Sequence, residues 1–380
     1  MREGIDKMTE KHSKQNKKRS FQNASPRQLT FCFITLFSLA LIIKNSDLAI
    51  KYMSEGLLLC VRTVIPSLFP FMVISDMIVA SGAAEFIGRI LRVPMRFLFG
   101  VSGEGGCSAV LGILCGFPIG AKSAVSMYDT GKISKNELER LLTFANNPSS
   151  AFIISAVGVS LFGSRAIGIL LYSAILLSSL VVGIAQNIIF RKLKSNFKQP
   201  LPTQKSSNKK AIVGDFTEAV TSSTFGILKI CAFVLFFTAI MGVFSSALAA
   251  SELSDNVRTI LFGFFEMTGG ISQAAFIRPI ERGIIIAAFI GGWSGISVHF
   301  QIMSLCADRN ISFKPYFIAK LCQGILSALI TKLCLLLFPH DFIFHSNSLS
   351  VGFHSVIVKS FELPILVCFA FVLVLSVIKK

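Results

Sequence analysis

The stretch from Leu98 to Lys122 constrains the fold most, because it is too short for a membrane-spanning helix and too apolar for an ordinary loop. It contains Glu104 followed by two glycines, and it has no charged residue from Gly106 to Pro118. A helix that crosses a bilayer needs about 20 apolar residues. Broken backbone of this kind is stable at membrane depth only where it packs in protein or lines a wet cavity. The stretch therefore predicts a broken or re-entrant membrane segment, which in transporters usually marks the binding site.

Composition supports a membrane protein rather than a soluble one. The chain is 53% hydrophobic and only 15% charged, whereas globular domains carry about 25% charged residues. The net charge of +17 is not that of a nucleic-acid binder, because the basic residues cluster in segments 1–28 and 191–214. Such clusters are typical of cytoplasmic flanks. We expect an all-α polytopic helix bundle in a lipid bilayer, with its N-terminus and central linker in the cytoplasm and no nucleic-acid partner.

The basic segments divide the chain into two halves. Residues 1–28 form a cytoplasmic tail, 29–190 the first transmembrane half, 191–214 a cytoplasmic linker and 215–380 the second transmembrane half. The first apolar run fits either a cleaved signal peptide or an uncleaved span, and its long basic leader favours the uncleaved span. Seven or eight spans are expected in all, at 29–43, 56–80, 148–163, 166–190, 224–250, 284–302, 316–338 and 361–378.

Motifs of the first half recur in the same order in the second half, which indicates internal duplication. The matched pairs are 98–106 with 261–270, 116–120 with 292–297, and 129–134 with 308–312. If the tail and the linker are both cytoplasmic, an even number of spans lies between them. The first repeat then begins outside, after the first span, and the second begins inside, after the linker. The pattern therefore predicts two inverted repeats, as in many secondary transporters, each with a broken or re-entrant element.

A second break is expected at residues 146–150, which read Asn-Asn-Pro-Ser-Ser. The helix before it should begin near Lys135, because Ser134 and Glu137 have the spacing of a capping box. Proline frees a backbone carbonyl, and the adjacent amides and hydroxyls either bind a ligand or satisfy the broken backbone. The sequence leaves both interpretations open.

The candidate binding residues lie at or beside the predicted breaks. Glu104 and Glu266 are candidates for a coupling cation or a polar solute, because burying an ionisable group in a membrane is costly. Alternatively, both are charges at helix N-termini. Lys122 and His299 are candidate charge partners, although Lys122 also has the length to snorkel to the surface. The full set is Glu104, Gly116, Pro118, Lys122, Asn146, Asn147, Ser149, Glu266, Gly292, Ser294, Ser297 and His299.

No enzymatic, metal or cofactor chemistry is predicted. The nine cysteines contain no CxxC pair and mostly lie in apolar runs, so they are expected to pack as small hydrophobes. Motifs for a serine hydrolase elbow, a zinc metalloprotease and a P-loop are missing from the sequence. We therefore expect a protein that is not an enzyme.

Three segments carry a resemblance to a known family. Residues 115–122 (CGFPIGAK), 131–134 (GKIS) and 142–149 (LTFANNPS) resemble the YlbJ family of sporulation integral membrane proteins, and the resemblance extends over roughly 30–380. That family carries the Gate, or nucleoside-recognition, domain shared with concentrative nucleoside transporters and ferrous-iron transport protein B. The resemblance implies a multi-pass protein of the bacterial cell membrane, made during endospore formation and needed for the spore cortex and heat resistance. It supplies no substrate, and the basic N-terminal tail departs from the family pattern.

Two functions from different classes stay open. The first is a transporter-like protein for an unidentified polar or ionic solute, with the site built from both repeats. The second is a non-transporting scaffold that organises other sporulation membrane proteins. The partners expected besides lipid are therefore a small solute, further copies of the chain, or other sporulation membrane proteins.

Overall fold

Helices are the only regular elements in the part of the chain that the structure describes, which is residues 26–193, 212–249 and 253–337 of a computed structural model. This confirms the all-α fold. The α-helices of the first half are α1 Pro26–Lys44, α2 Ser46–Leu59, α3 Ile65–Ala80, α4 Ala83–Pro94, α5 Gly103–Cys115, α6 Ile119–Asp129, α7 Lys135–Phe144 and α8 Arg165–Leu193. Those of the second half are α9 Ile212–Ala249, α10 Asp255–Phe265, α11 Met267–Ala274, α12 Ile280–Trp293, α13 Gly295–Leu305 and α14 Lys314–Leu337. Wider π-helical segments occupy Cys60–Val64, Met95–Phe99 and Phe152–Leu161, and a short 3₁₀ turn occupies Ala307–Arg309.

Within the described ranges, 4 helical segments are long and apolar enough to cross a membrane. They match the spans predicted at 166–190, 224–250, 284–302 and 316–338. The observed segments are Arg165–Phe190, Phe216–Phe244, Ile280–Leu305 and Lys314–Leu337. Shorter apolar helices lie at Thr35–Lys44, Leu68–Ala80 and Phe152–Leu161, where further first-half spans are predicted. The total of seven or eight spans stays a prediction, because segment 361–378 lies outside the described residues.

The stretch that begins at Leu98 is broken, as the sequence predicts, and the structure shows two breaks in it. Helical segments Phe86–Phe99 and Gly103–Cys115 meet at 88°, an angle that fits either a broken span or a re-entrant loop. Gly100 supplies the first corner with φ +65°. Gly116 ends α5 with φ +83°, a left-handed conformation that residues with a Cβ rarely adopt.

Glu137 joins the starts of two helices. Ser134 caps α7 through the predicted capping box, in which the Ser134 hydroxyl accepts from the Glu137 N–H and the Glu137 carboxylate accepts from the Ser134 N–H. The other carboxylate oxygen accepts from Ser102 N at 2.6 Å, and Ser102 in turn caps α5 by accepting from Gly105 N. One buried carboxylate therefore fixes α5 and α7 relative to each other.

The two turns that the sequence matches as repeat equivalents contact each other directly. Arg309 Nε and Nη2 donate to the two carboxylate oxygens of Asp129 at 2.7 and 2.6 Å, and this hydrogen bonding raises the pKa of the Arg309 guanidinium. Ser312 N also donates to Glu139 Oε1 at 3.0 Å. In a pair of inverted repeats, equivalent turns lie on opposite sides of the membrane unless both are near its midplane. The inverted relation is therefore not confirmed.

The predicted tail and linker lie mostly outside the described residues, so the domain boundaries stay predictions. Helix α8 ends at Leu193 and α9 begins at Ile212. Two basic residues within apolar runs, Arg62 and Lys229, are exposed on the surface of the bundle, as expected for side chains that reach out of the apolar layer.

Candidate functional site

The two breaks of the first half pack against each other. Phe117 N donates to Asn147 O at 2.7 Å, so the backbone after α5 pairs with the backbone after α7. A Cβ at Gly116 would lie 2.6 Å from Ser149 N. Gly112 and Gly120 both face the carbonyl of Ala145 so closely that neither has room for a side chain. Glycine is thus required where the two broken segments meet.

The asparagine amides mainly satisfy the broken backbone. Asn146 Nδ2 donates to Leu142 O at 3.0 Å, and Asn147 Nδ2 donates to Phe144 O at 2.9 Å. These bonds satisfy the last carbonyls of α7. Of the two roles predicted for the Asn-Asn-Pro-Ser-Ser motif, this is the one in which the side chains satisfy the broken backbone. The side-chain oxygens differ, because Asn147 Oδ1 accepts from Gln323, whereas Asn146 Oδ1 has no hydrogen-bond partner among the described residues.

A buried polar stripe on α14 faces this break. Tyr316, Lys320, Gln323 and Ser327 are at most 1% exposed and follow one another at helical spacing, so they share one face. The opposite face carries exposed apolar residues such as Ile318. Polar and ionisable groups on the inner face of an apolar span are functional candidates, because their burial is costly.

The stripe binds the first half of the chain directly. Lys320 Nζ donates to Asn146 O and, at 2.9 Å, to Gln323 Oε1. Gln323 Nε2 donates to Asn147 Oδ1 at 2.7 Å and to Ile175 O at 3.2 Å. The Ser327 and Ser178 hydroxyls lie 2.8 Å apart. A helix of the second half therefore completes the break of the first half.

The second-half break lies at Ser294 and Gly295, between α12 and α13, where φ is +76° and +78°. Trp293 anchors it by donating from Nε1 to Phe264 O at 2.9 Å. Just beyond it, His299 Nδ1 lies 2.7 Å from the Tyr316 hydroxyl, so α13 reaches the polar stripe. His299 Nε2 has no hydrogen-bond partner in the described part of the chain.

Two further candidate residues of this break, Gly292 and Ser297, are buried. A Cβ at Gly292 would contact Ser327 Oγ and lie 2.9 Å from Gly324 Cα, so α12 and α14 touch through glycines. Ser297 is buried on α13. Gly292 therefore allows α12 to approach α14 closely beside the stripe.

The structure does not bring the two glutamates together. The Glu266 carboxylate accepts from Thr268 N at 2.9 Å and from Gly269 N at 2.6 Å, so it caps the N-terminus of α11. Glu104 lies half-buried in the first turn of α5. Helix α5 packs on α4, α6 and α7, whereas α11 packs on α10 and α12. Both glutamates thus stand at helix N-termini, and their binding role stays a prediction.

Lys122 is paired with a different acid from the ones the sequence singles out. Its Nζ lies 2.6 Å from Asp76 Oδ2 and 3.0 Å from Ser223 Oγ. The pair is buried, with 10% of the lysine and 12% of the aspartate side chain exposed. Lys122 therefore links α6 to α3 and α9, and its side chain does not extend to the surface.

Sequence reasoning missed the stripe on α14. Its signal is a set of polar residues spaced by four, three and four positions within an otherwise apolar helix. The set is Tyr316, Lys320, Gln323 and Ser327.

The fold and these broken helices define a multi-pass helical membrane protein whose two halves share a buried polar junction. Comparison with known proteins agrees with this class. Residues 61–168 match the Gate family, described as nucleoside recognition. The chain is 31% identical over 332 residues to the sporulation integral membrane protein YlbJ of Bacillus subtilis (strain 168), covering 78% of this chain and 80% of that relative. The chain therefore belongs to the YlbJ family of sporulation integral membrane proteins. No solved structure matches it.

Proposed function

We propose that this protein acts in endospore formation as a transporter-like membrane protein that supports the spore cortex by binding and passing a polar or ionic solute. The observation that carries the proposal is the buried junction in which Lys320 and Gln323 of one half bind Asn146 and Asn147 at the break of the other. In transporters, solute sites lie where broken helices of two repeats meet.

The junction has the chemistry that such a site requires. Freed backbone groups, amides, hydroxyls and one amine converge between apolar helices, and a polar solute needs several such groups to replace its water. Because the partners come from both halves, movement of one half against the other changes the junction. That coupling between binding and movement is the basis of alternating access.

One observation favours a scaffold instead. The amides of Asn146 and Asn147 already satisfy the carbonyls of Leu142 and Phe144, and Lys320 and Gln323 are fully buried. A junction of that kind also serves as a static brace between the halves. In the scaffold function, the protein organises other sporulation membrane proteins, or copies of itself, and passes no solute.

Solute flux separates the two functions. Vesicles containing the purified full chain are assayed for uptake and efflux of labelled nucleosides, cations and cortex precursors. If the protein is a transporter, we expect solute flux that Gln323→Met reduces. Lys229→Gln changes an exposed residue of α9, serves as the control and should leave the flux unchanged. The same variants are introduced into a sporulating strain that lacks its own copy, and heat-resistant spores are counted. Spore rescue without flux of any of these solutes contradicts transport and supports the scaffold.

A further inference from the structure

Helix α4 carries two exposed rows of unlike residues. Phe86, Ile90 and Val93 are 66%, 67% and 77% exposed, and their spacing places them in one row along the helix. The second row is basic and exposed, and it consists of Arg89, Arg92 and Arg96. At about 100° per residue, the arginine row lies roughly a quarter turn to one side of the apolar row. The outer surface of this segment therefore has an apolar strip beside a basic strip.

The third face of α4 packs on α5. A Cβ at Gly88 would lie 2.9 Å from Glu104 N, and a Cβ at Gly106 would lie 2.6 Å from Met95 Cγ. Protein therefore covers the inner side of the helix, whereas the apolar and arginine rows both face outward. The contact at Gly88 also ties α4 to the first residues of α5, just after the corner at Gly100.

The corner at Gly100 sets the direction of α4. Helical segments Phe86–Phe99 and Gly103–Cys115 meet at 88°, and Glu104 is the one charged residue of the second segment. Three exposed arginines keep the first segment out of the apolar layer, because a charge there is costly. With α5 inserted into the membrane, a helix nearly perpendicular to it lies close to the membrane plane.

The end of this segment contacts the helix that leads into the basic linker. Asn187 Nδ2 donates to Phe97 O at 3.1 Å and to Leu98 O at 2.9 Å. Asn187 lies near the end of α8 at Leu193, where the basic segment 191–214 begins. The α4 segment therefore ends beside the predicted cytoplasmic end of the bundle, where anionic lipids attract basic residues.

We propose that α4 is an in-plane anchor that binds the phosphate headgroups of anionic phospholipids. The apolar row enters the boundary of the acyl chains and the arginine row lies at the level of the headgroups, which is the position that basic amphipathic helices take in membranes. A guanidinium binds two phosphate oxygens at once. Arg89 and Arg92 form no ion pair with a side chain that the structure describes, so both are available to the lipid.

The shape of this surface favours lipid over a protein partner. The apolar row and the arginine row run side by side over about three turns. A bilayer presents acyl chains and phosphates at adjacent depths along its whole surface, whereas a protein partner needs a hydrophobic groove with a matching row of acids. This inference goes beyond the proposed function and is independent of it, because lipid binding requires no solute.

The first test measures the lipid selectivity of the purified full chain in a non-ionic detergent. Unfolding midpoints are recorded with added phosphatidylglycerol or phosphatidylcholine that have the same acyl chains. Because bound lipid holds α4 and, through Gly88, the start of α5, we expect phosphatidylglycerol to raise the midpoint in a saturable manner by about 2–4 °C over phosphatidylcholine. High salt should reduce this difference. Equal responses to the two lipids overturn the inference.

Variants assign the response to α4. The triple variant Arg89→Gln/Arg92→Gln/Arg96→Gln should weaken phosphatidylglycerol binding roughly tenfold or more, and lysine at the same three positions should restore most of it. The control removes three charges elsewhere, with glutamine at the exposed residues Lys229, Arg282 and Lys332, and should respond as the wild type does. A folded α4 glutamine variant with the wild-type response overturns the assignment.

The second test measures the orientation of the helix directly. In a background without other cysteines, spin labels at Ile90→Cys and Arg92→Cys are compared in vesicles of phosphatidylglycerol and phosphatidylcholine in equal parts. The label at position 90 should collide more with oxygen, which concentrates among acyl chains, and the label at position 92 more with a water-soluble nickel complex. Equal access of both labels to the nickel complex overturns the anchor. Labels that neither reagent reaches overturn it as well, because they show a protein partner on this face.

Discussion

Lys122 and Asp76 form a buried ion pair, with Nζ 2.6 Å from Oδ2, although they lie 46 residues apart in the chain. Ser223 of the second half donates its hydroxyl to the same aspartate oxygen at 3.2 Å. The pair therefore ties α3, α6 and α9 together. Its energetics differ from those of an exposed pair, because both side chains are largely removed from water.

Breaking this pair from one side should destabilise the protein strongly. Lys122→Met or Asp76→Leu leaves one charge buried and unpaired, which costs about 3–5 kcal/mol. The double variant removes both charges and should lose less stability than either single variant. Unfolding midpoints in detergent measure the three proteins, and losses that simply add in the double variant contradict a buried pair.

Gly116→Ala should destabilise the protein more than Gly82→Ala. Both glycines have left-handed backbones, with φ of +83° and +79°, so each substitution carries a similar backbone cost of about 1–2 kcal/mol. Only Gly116 adds a collision, because its new Cβ would lie 2.6 Å from Ser149 N, whereas nothing lies within 4 Å at Gly82. Unfolding midpoints of the two variants compare the costs. Equal losses would show that the two broken segments do not pack together.

Cysteines at positions 129 and 309 should cross-link within one molecule. Asp129 and Arg309 contact each other at 2.6 Å, and the pair is partly exposed, so its removal costs only about 0–1 kcal/mol. In a background without other cysteines, Asp129→Cys/Arg309→Cys should react with a short bifunctional maleimide, and each single variant serves as the control. A membrane-impermeant maleimide should label both positions from the same side. Labelling from opposite sides would instead support the inverted arrangement.

Glu266→Ala should lower stability more than Glu104→Ala. The Glu266 carboxylate accepts from two backbone N–H groups of α11, and the loss of a helix cap costs about 0.5–2 kcal/mol. Glu104 contributes a charge in the first turn of α5, which is worth about 0.3–1 kcal/mol. Glu266→Gln keeps one capping oxygen and should lie between wild type and alanine. Loss of flux in Glu266→Gln at an unchanged unfolding midpoint would show that this carboxylate also serves the solute.

Much of the architecture was predictable because it depends on neighbours in sequence. The capping box of Ser134 and Glu137 involves residues three apart, and the apolar segments depend on continuous composition. The breaks near Gly116 and Asn146 were predictable for the same reason, since glycine and proline act on their own backbone. The family likewise follows from contiguous motifs, CGFPIGAK and LTFANNPS.

The site itself was predicted only in part. The sequence indicates Asn146, Asn147 and His299 as candidates, but not the stripe on α14 that contacts each of them through a different residue. Asn146 and Lys320 lie 174 residues apart, and periodicity does not encode which distant helix faces a given break. For the same reason, the pairing of Lys122 with Asp76 was not predicted.

Local chemistry in the chain thus determines a helical membrane protein of this family with glycine- and proline-broken segments, because short-range backbone preferences and apolar run lengths set those features. Only the tertiary structure decides that Lys122 has a fixed acid, whereas Lys320 has no acidic partner among the described residues. The difference is which helices pack against each lysine, because the neighbours that surround a buried charge, and not its local sequence, determine how it is paired.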